Sequence, residues 1–112
     1  MTFDSSLLKG STAPIVLRLL AEQERYGYEI VKLVNERTNG ALEWKEGTLY
    51  PCLHALEGKG LLRGEWRDGP NGKRRRYYHL TRRGRAELAR KTEEWRAFRA
   101  AVDTLLLAVA GA

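Results

Sequence analysis

The feature that most constrains this chain is a short apolar helix that runs directly into a Gly- and Pro-tipped hairpin whose return strand opens with four consecutive cations, Lys73 to Arg76. "LLRGEWR" alternates apolar and polar residues as a half-buried strand does. Asp68 to Gly72, with two glycines, Pro70 and Asn71, carries a loop signal, and "KRRRYYHL" returns as the second strand. Alternation sends Lys73 and Arg75 to one face and Arg74 and Arg76 to the other, so no single salt-bridged surface accounts for the cluster. Between Lys59 and Arg90 eleven Lys and Arg face only three acids, Glu65, Asp68 and Glu87. Too few carboxylates lie nearby to pair the wing cations, and an anionic partner is expected.

The segments around the hairpin read as helices. From Ser6 to about Glu22, Leu7, Leu8, Ile15, Val16, Leu19 and Leu20 recur at roughly helical spacing, and Pro14 is expected to kink or divide the segment. After a break around Gly27, Ile30, Val31, Leu33 and Val34 face one side and Glu29, Lys32, Glu36 and Arg37 the other, with Asn39 and Gly40 as the C-terminal stop. A third helix spans about Glu46 to Lys59. It places Leu49, Cys52, Leu53 and Leu56 on one face and Gly47, Pro51, His54 and Gly58 on the reverse. Pro51 requires that this helix begin near Thr48 or bend at the proline. Thr81 reads as the N-cap of a long final helix to about Ala108, interrupted early by Gly84.

The order helix, helix, helix, hairpin, helix is that of a winged helix-turn-helix, mainly α with a two-stranded β-hairpin. Residues 1–80 form the expected DNA-binding part and residues 81–112 a C-terminal dimerisation helix, within one compact unit. In that last helix Leu88, Trp95, Val102 and Val109 fall seven residues apart, with Phe98 and Leu105 at the intermediate offset. This is a heptad seam, made polar near its start by Lys91. A hairpin tip rich in guanidinium suits phosphate oxygens and the narrow minor groove. The reverse face of the third helix, with Gly47, Thr48, Tyr50, Pro51 and His54, is small or hydrogen-bonding enough to enter a major groove.

Several classes lose ground on the same residues. A formal net charge of +6 over 112 residues favours acidic partners, and one domain of this length buries a sufficient core unaided. A single cysteine, Cys52, excludes an intrachain disulfide and a multi-thiolate metal site, so no metal or cofactor is expected, and a buried inert thiol is the favoured role. No Ser-His-Asp or Cys-His arrangement, phosphate-cradling glycine loop or carboxylate pair supports an enzyme. No signal peptide or membrane span is recognisable, which predicts a cytoplasmic protein. Of Tyr77 and Tyr78, one is expected to pack inward and the other outward. Trp44 and Trp66 are read as packing residues around the hairpin base, and His79 has no assigned role. A competing reading makes the final helix a partner-binding amphipath and the basic wing incidental; salt-sensitive binding separates the two.

"YGYEIVKLV", "EGTLYPCLHALEGKGLL", "GKRRRYYHLTRRGRAEL" and "EEW" together resemble the PadR-like family of bacterial transcriptional regulators, in the same order and spacing over nearly the whole chain. The likeness is to its short-chain subgroup, which lacks an added C-terminal helical domain. It implies a homodimeric repressor on a pseudo-palindromic operator, paired through the last helix together with the first. Carried over by position, the resemblance implies a DNA-facing set of Thr48, Tyr50 and Pro51, the wing cations Lys73, Arg74, Arg75 and Arg76, and Tyr28 at the start of the second helix. Lys45 stands where related chains often carry a small helix-capping residue. Some relatives bind flat aromatic effectors at the dimer interface, which makes Trp95, with Phe98 beside it, a candidate pocket residue as well as a seam aromatic.

Overall fold

The computed structural model describes residues 3–108. The elements follow in the order α1 (Ser5–Lys9), α2 (Thr12–Glu22), β1 (Arg25–Tyr26), α3 (Gly27–Arg37), α4 (Glu46–Gly58), β2 (Leu62–Asp68), β3 (Arg74–Leu80) and α5 (Arg82–Leu106). The first helical segment is divided, with the break at Gly10 and Ser11 rather than at Pro14. Pro14 occupies the third position of α2, where a backbone N–H has no intrahelical acceptor, so its ring is accommodated. α4 starts at Glu46 and runs through Pro51 to Gly58.

The sheet has three strands in the order β1-β3-β2, all antiparallel, which corrects the two-stranded expectation. Arg25 pairs with Tyr78 and Tyr26 with Tyr77. A strand of two residues has no period to read, so the pattern around Gly27 registers only as a break. The hairpin pairs from Leu62 with Leu80 out to Asp68 with Arg74. At its tip Asn71 and Gly72 take φ of 65° and 74°, a left-handed conformation that these residue types tolerate.

α2, α3 and α4 pack with the base of the sheet around Val16, Leu17, Ile30, Leu49 and Leu53, all fully buried, together with Tyr78 and Leu80. Trp44 belongs to this core, its backbone N–H donating to Asn35 Oδ1 at 2.8 Å. One charge is buried with them: Arg25 Nε donates to the Leu19 carbonyl at 3.0 Å and its guanidinium meets Glu22 at 2.8 Å. Glu22 also accepts from Arg37 at 2.9 Å. The Arg37 hydrogen bond first, with Arg25 adding to it, holds the Glu22 carboxyl below the usual carboxylate range despite some desolvation.

α5 is continuous, which corrects the expected interruption at Gly84. The Gly84 N–H donates to Thr81 Oγ1 at 3.0 Å as the N-cap, and a Cβ at Gly84 would collide with the Leu61 carbonyl. The glycine is therefore there for close packing. Leu88 is buried one turn later, and beyond it no described residue of α5 is buried. The helix leaves the globule, giving a shape of 62 × 31 × 21 Å.

Candidate nucleic-acid interface

The exposed side of α4 and the wing formed by β2 and β3 enclose a cleft of about 340 Å³ lined by Tyr26, Gly27, Tyr50, His54, Trp66, Tyr78 and the three arginines Arg74, Arg75 and Arg76. Its floor follows from strand alternation, since Tyr78 turns inward and is buried while Tyr77 turns away, 5.4 Å from the Tyr26 ring in an edge-on arrangement. Burial pushes the Tyr78 hydroxyl pKa up; the Tyr50 hydroxyl rises for the same reason, with nearby Glu46 adding to it. His54 projects from the exposed side of α4. Lys45 is the α4 N-cap and its side chain makes no capping bond.

The wing cations do not share one environment. Among the described residues no carboxylate lies within ion-pair distance of Lys73, Arg74 or Arg75. Arg75 sits over the Tyr26 ring at 4.3 Å, a cation–π contact that leaves its charge unneutralised. Arg76 differs: its Nη2 lies 2.6 Å from Glu57 Oε2, so one of the four expected free cations is paired within the chain. Glu57 lies two residues before the stretch in which acids looked scarce. Partial burial raises its carboxyl pKa, but hydrogen bonds from Arg76 and the Gly64 N–H outweigh that and hold it low. Arg67 on β2 is likewise occupied, reaching Glu24 Oε2 at 2.9 Å and Glu65 at 3.1 Å.

Of the remaining sequence-predicted DNA-facing residues, Tyr28, Thr48, Pro51 and Lys73 are exposed but do not line the cleft. Thr48 instead borders a shallow recess against α1 and α2 shared with Cys52. Cys52 is half-buried, and burial pushes its thiol pKa up against a smaller pull from Lys59, so the thiolate is disfavoured. Two cleft residues were not read as such from the sequence. Tyr26 lies on the unrecognised strand. Trp66, read as a packing residue, is 54% exposed, with the Arg74 and Arg76 guanidinium carbons 5.6 and 5.7 Å from its ring centre. The register that sets Trp66 opposite Arg76 was the available signal.

The predicted seam on α5 separates into two parts. Leu88 is spent in the protomer's own core, while Trp95, Phe98 and Leu105 are 52%, 62% and 84% exposed. Val102 is partly covered, and Val109 lies outside the described residues. Trp95 and Phe98 lie 6.5 Å apart, centroid to centroid. Trp95 also lines a groove of about 500 Å³ between α2 and α5 with Pro14, Ile15, Arg18 and Leu88. Among the described residues no helix is long and apolar enough to cross a membrane.

Comparison with known proteins places these features together in other chains. The model of the transcriptional regulator PadR-like family matches residues 16–90. A transcriptional regulator from Clostridium thermocellum is 33% identical, with a TM-score of 0.85, over 91% of this chain and 99% of that one. A PadR family transcription regulator from Clostridium difficile is 34% identical, with a TM-score of 0.75, over 86% and 98% of the two chains. A transcriptional regulator of Mycobacterium tuberculosis is 40% identical over 82 residues, 73% of this chain and 70% of that protein. Family members are regulators of transcription rather than enzymes, which implies DNA binding. With its cationic wing beside an open helix face, and with a family match spanning α2 through the first half of α5, the chain belongs to the PadR-like family of transcriptional regulators.

Proposed function

We propose that this protein is a sequence-specific, double-stranded DNA-binding repressor that acts as a homodimer on a pseudo-palindromic operator. The observation that carries the reading is the absence of ion-pairing carboxylates, among the described residues, around Lys73, Arg74 and Arg75, beside the exposed face of α4. Thr48, Tyr50, Pro51 and His54 on that face meet base edges and Tyr28 the backbone, while the wing cations take phosphates or the minor groove. Residues 1–80 carry DNA binding and residues 81–112 pair the protomers. The exposed Trp95, Phe98 and Leu105 support pairing through α5, and exposed Leu7 supports a contribution from α1.

In a fluorescence-anisotropy titration of the duplex upstream of its own gene, a dimer making about eight phosphate contacts loses affinity about a thousandfold or more between about 50 and 200 mM salt. A flat response to salt would exclude the reading and favour an apolar partner for α5. The groove beside Trp95 supports a second element of the proposal, release from DNA by a small planar aromatic effector held by Trp95 with Phe98 nearby. Titrating a panel of planar aromatics into the preformed complex tests it; no change in anisotropy with any of them discards the effector.

A further inference from the structure

The wing carries a bracket that the DNA-binding reading does not by itself require. Glu57, near the end of α4, accepts from Arg76 Nη2 at 2.6 Å and from the Gly64 N–H at 3.0 Å, so its carboxylate ties the helix to both strands of the wing. Arg76 reaches it by leaning across β2 at Gly64, where a Cβ would collide with Arg76 Nε. The Arg76 guanidinium then lies 5.7 Å from the centre of the Trp66 ring, and that of Arg74 lies 5.6 Å from the same ring. Two cations brought to one indole repel each other unless one of them is neutralised. Glu57 neutralises Arg76. Arg74, with no carboxylate at ion-pair distance among the described residues, keeps its full charge while its side chain is held by the ring.

Resting on the DNA-binding reading above, we propose that Trp66 is a positioning residue of the interface, holding Arg74 in the posture that receives a DNA phosphate, and that Glu57 permits this by cancelling the charge of Arg76. An exposed Arg surrenders rotamer freedom when it binds; one already laid on an indole surrenders less, so the contact forms more tightly. The bracket also fixes the angle between wing and α4, and hence the spacing between minor-groove and major-groove contacts.

The test is a salt series of anisotropy titrations on the full chain, with the duplex upstream of its own gene and a scrambled duplex as probes. Arg74→Ala and Trp66→Ala each lower affinity about tenfold on both duplexes and reduce the slope of log K against log salt by about one. The double variant is no weaker than Arg74→Ala alone, and Trp66→Phe recovers most of the loss. Wild-type affinity and slope in Trp66→Ala, or losses that add in the double variant, overturn the proposal. Should Trp66→Ala not fold, Glu57→Gln decides. It raises net charge, so charge counting predicts tighter binding, whereas the bracket predicts binding several-fold weaker because Arg76 repels Arg74. Equal or tighter binding rejects the bracket. If the wild type itself shows no salt-dependent binding to either duplex, the interface reading fails and the proposal falls with it.

Discussion

Charges of the same kind play opposite parts once their surroundings are fixed. Arg25, buried against the Leu19 carbonyl and Glu22, belongs to the fold; Arg75, resting on Tyr26 without a carboxylate, is available to a partner. Arg25→Ala strands a buried carbonyl and is expected to cost about 2 kcal/mol, lowering Tm by about 10 °C in thermal unfolding. Arg75→Ala is expected to move Tm by no more than about 2 °C while weakening DNA evenly across sequences. Glu22, Glu24, Glu57 and Glu87 are all held below the usual carboxylate range by arginine partners. Because these folded-state values lie below those of the unfolded chain, the stability they supply is complete above the ordinary carboxylate pKa and is lost as pH falls through the lowered values. Tm should therefore decline on the acid side between about pH 7 and about pH 3, and Glu22→Gln should flatten part of that decline. Local spacing showed where the wing cations are, but it could not show which of them are spent. The partner of Arg76 lies 19 residues away on a different element, and only the folded register brings the two together.

Elements with a clear period were legible. α3, α4, the hairpin and α5 follow their apolar spacing to within a few residues, because one face of each must enter a common core. β1 escaped notice because two residues cannot show alternation, and its pairing with β3 is a tertiary event. The break before α2 falls at Gly10 and Ser11 because a proline in the first helical turn loses no hydrogen bond. Gly84 was misread for a similar reason: its poor helix propensity is visible in the sequence, whereas the Leu61 carbonyl against it is not. A test follows from the competition between those two effects. Propensity alone predicts that Gly84→Ala stabilises α5 by about 1 kcal/mol. The clash is with backbone and cannot be relieved by a rotamer change, so the expected net effect is a loss of about 2 kcal/mol, seen as a Tm lower by about 8 °C. A higher Tm would mean that the α5 junction yields more easily than its packing suggests.

For the molecule as a whole, the open question is what covers α5 beyond Leu88. Exposed Trp95, Phe98 and Leu105 along one heptad register are costly for a chain that stays alone in water. Trp95→Arg is expected to sediment as a monomer with Tm of the globular part nearly unchanged, and to bind operator DNA about a hundredfold or more weakly, since two half-sites are no longer engaged at once. A dimer that survives this substitution would remove the seam from the pairing. The way α5 is mounted has a geometric outcome of its own. The helix is clamped to its globule at Gly84 and Leu88 and free from there on, so each residue inserted before Trp95 swings the outer face by about 100° and advances it by about 1.5 Å. In a paired molecule the rod acts like one leg of a drafting compass, its length fixing the reach between two reading heads and its turn count fixing their bearing.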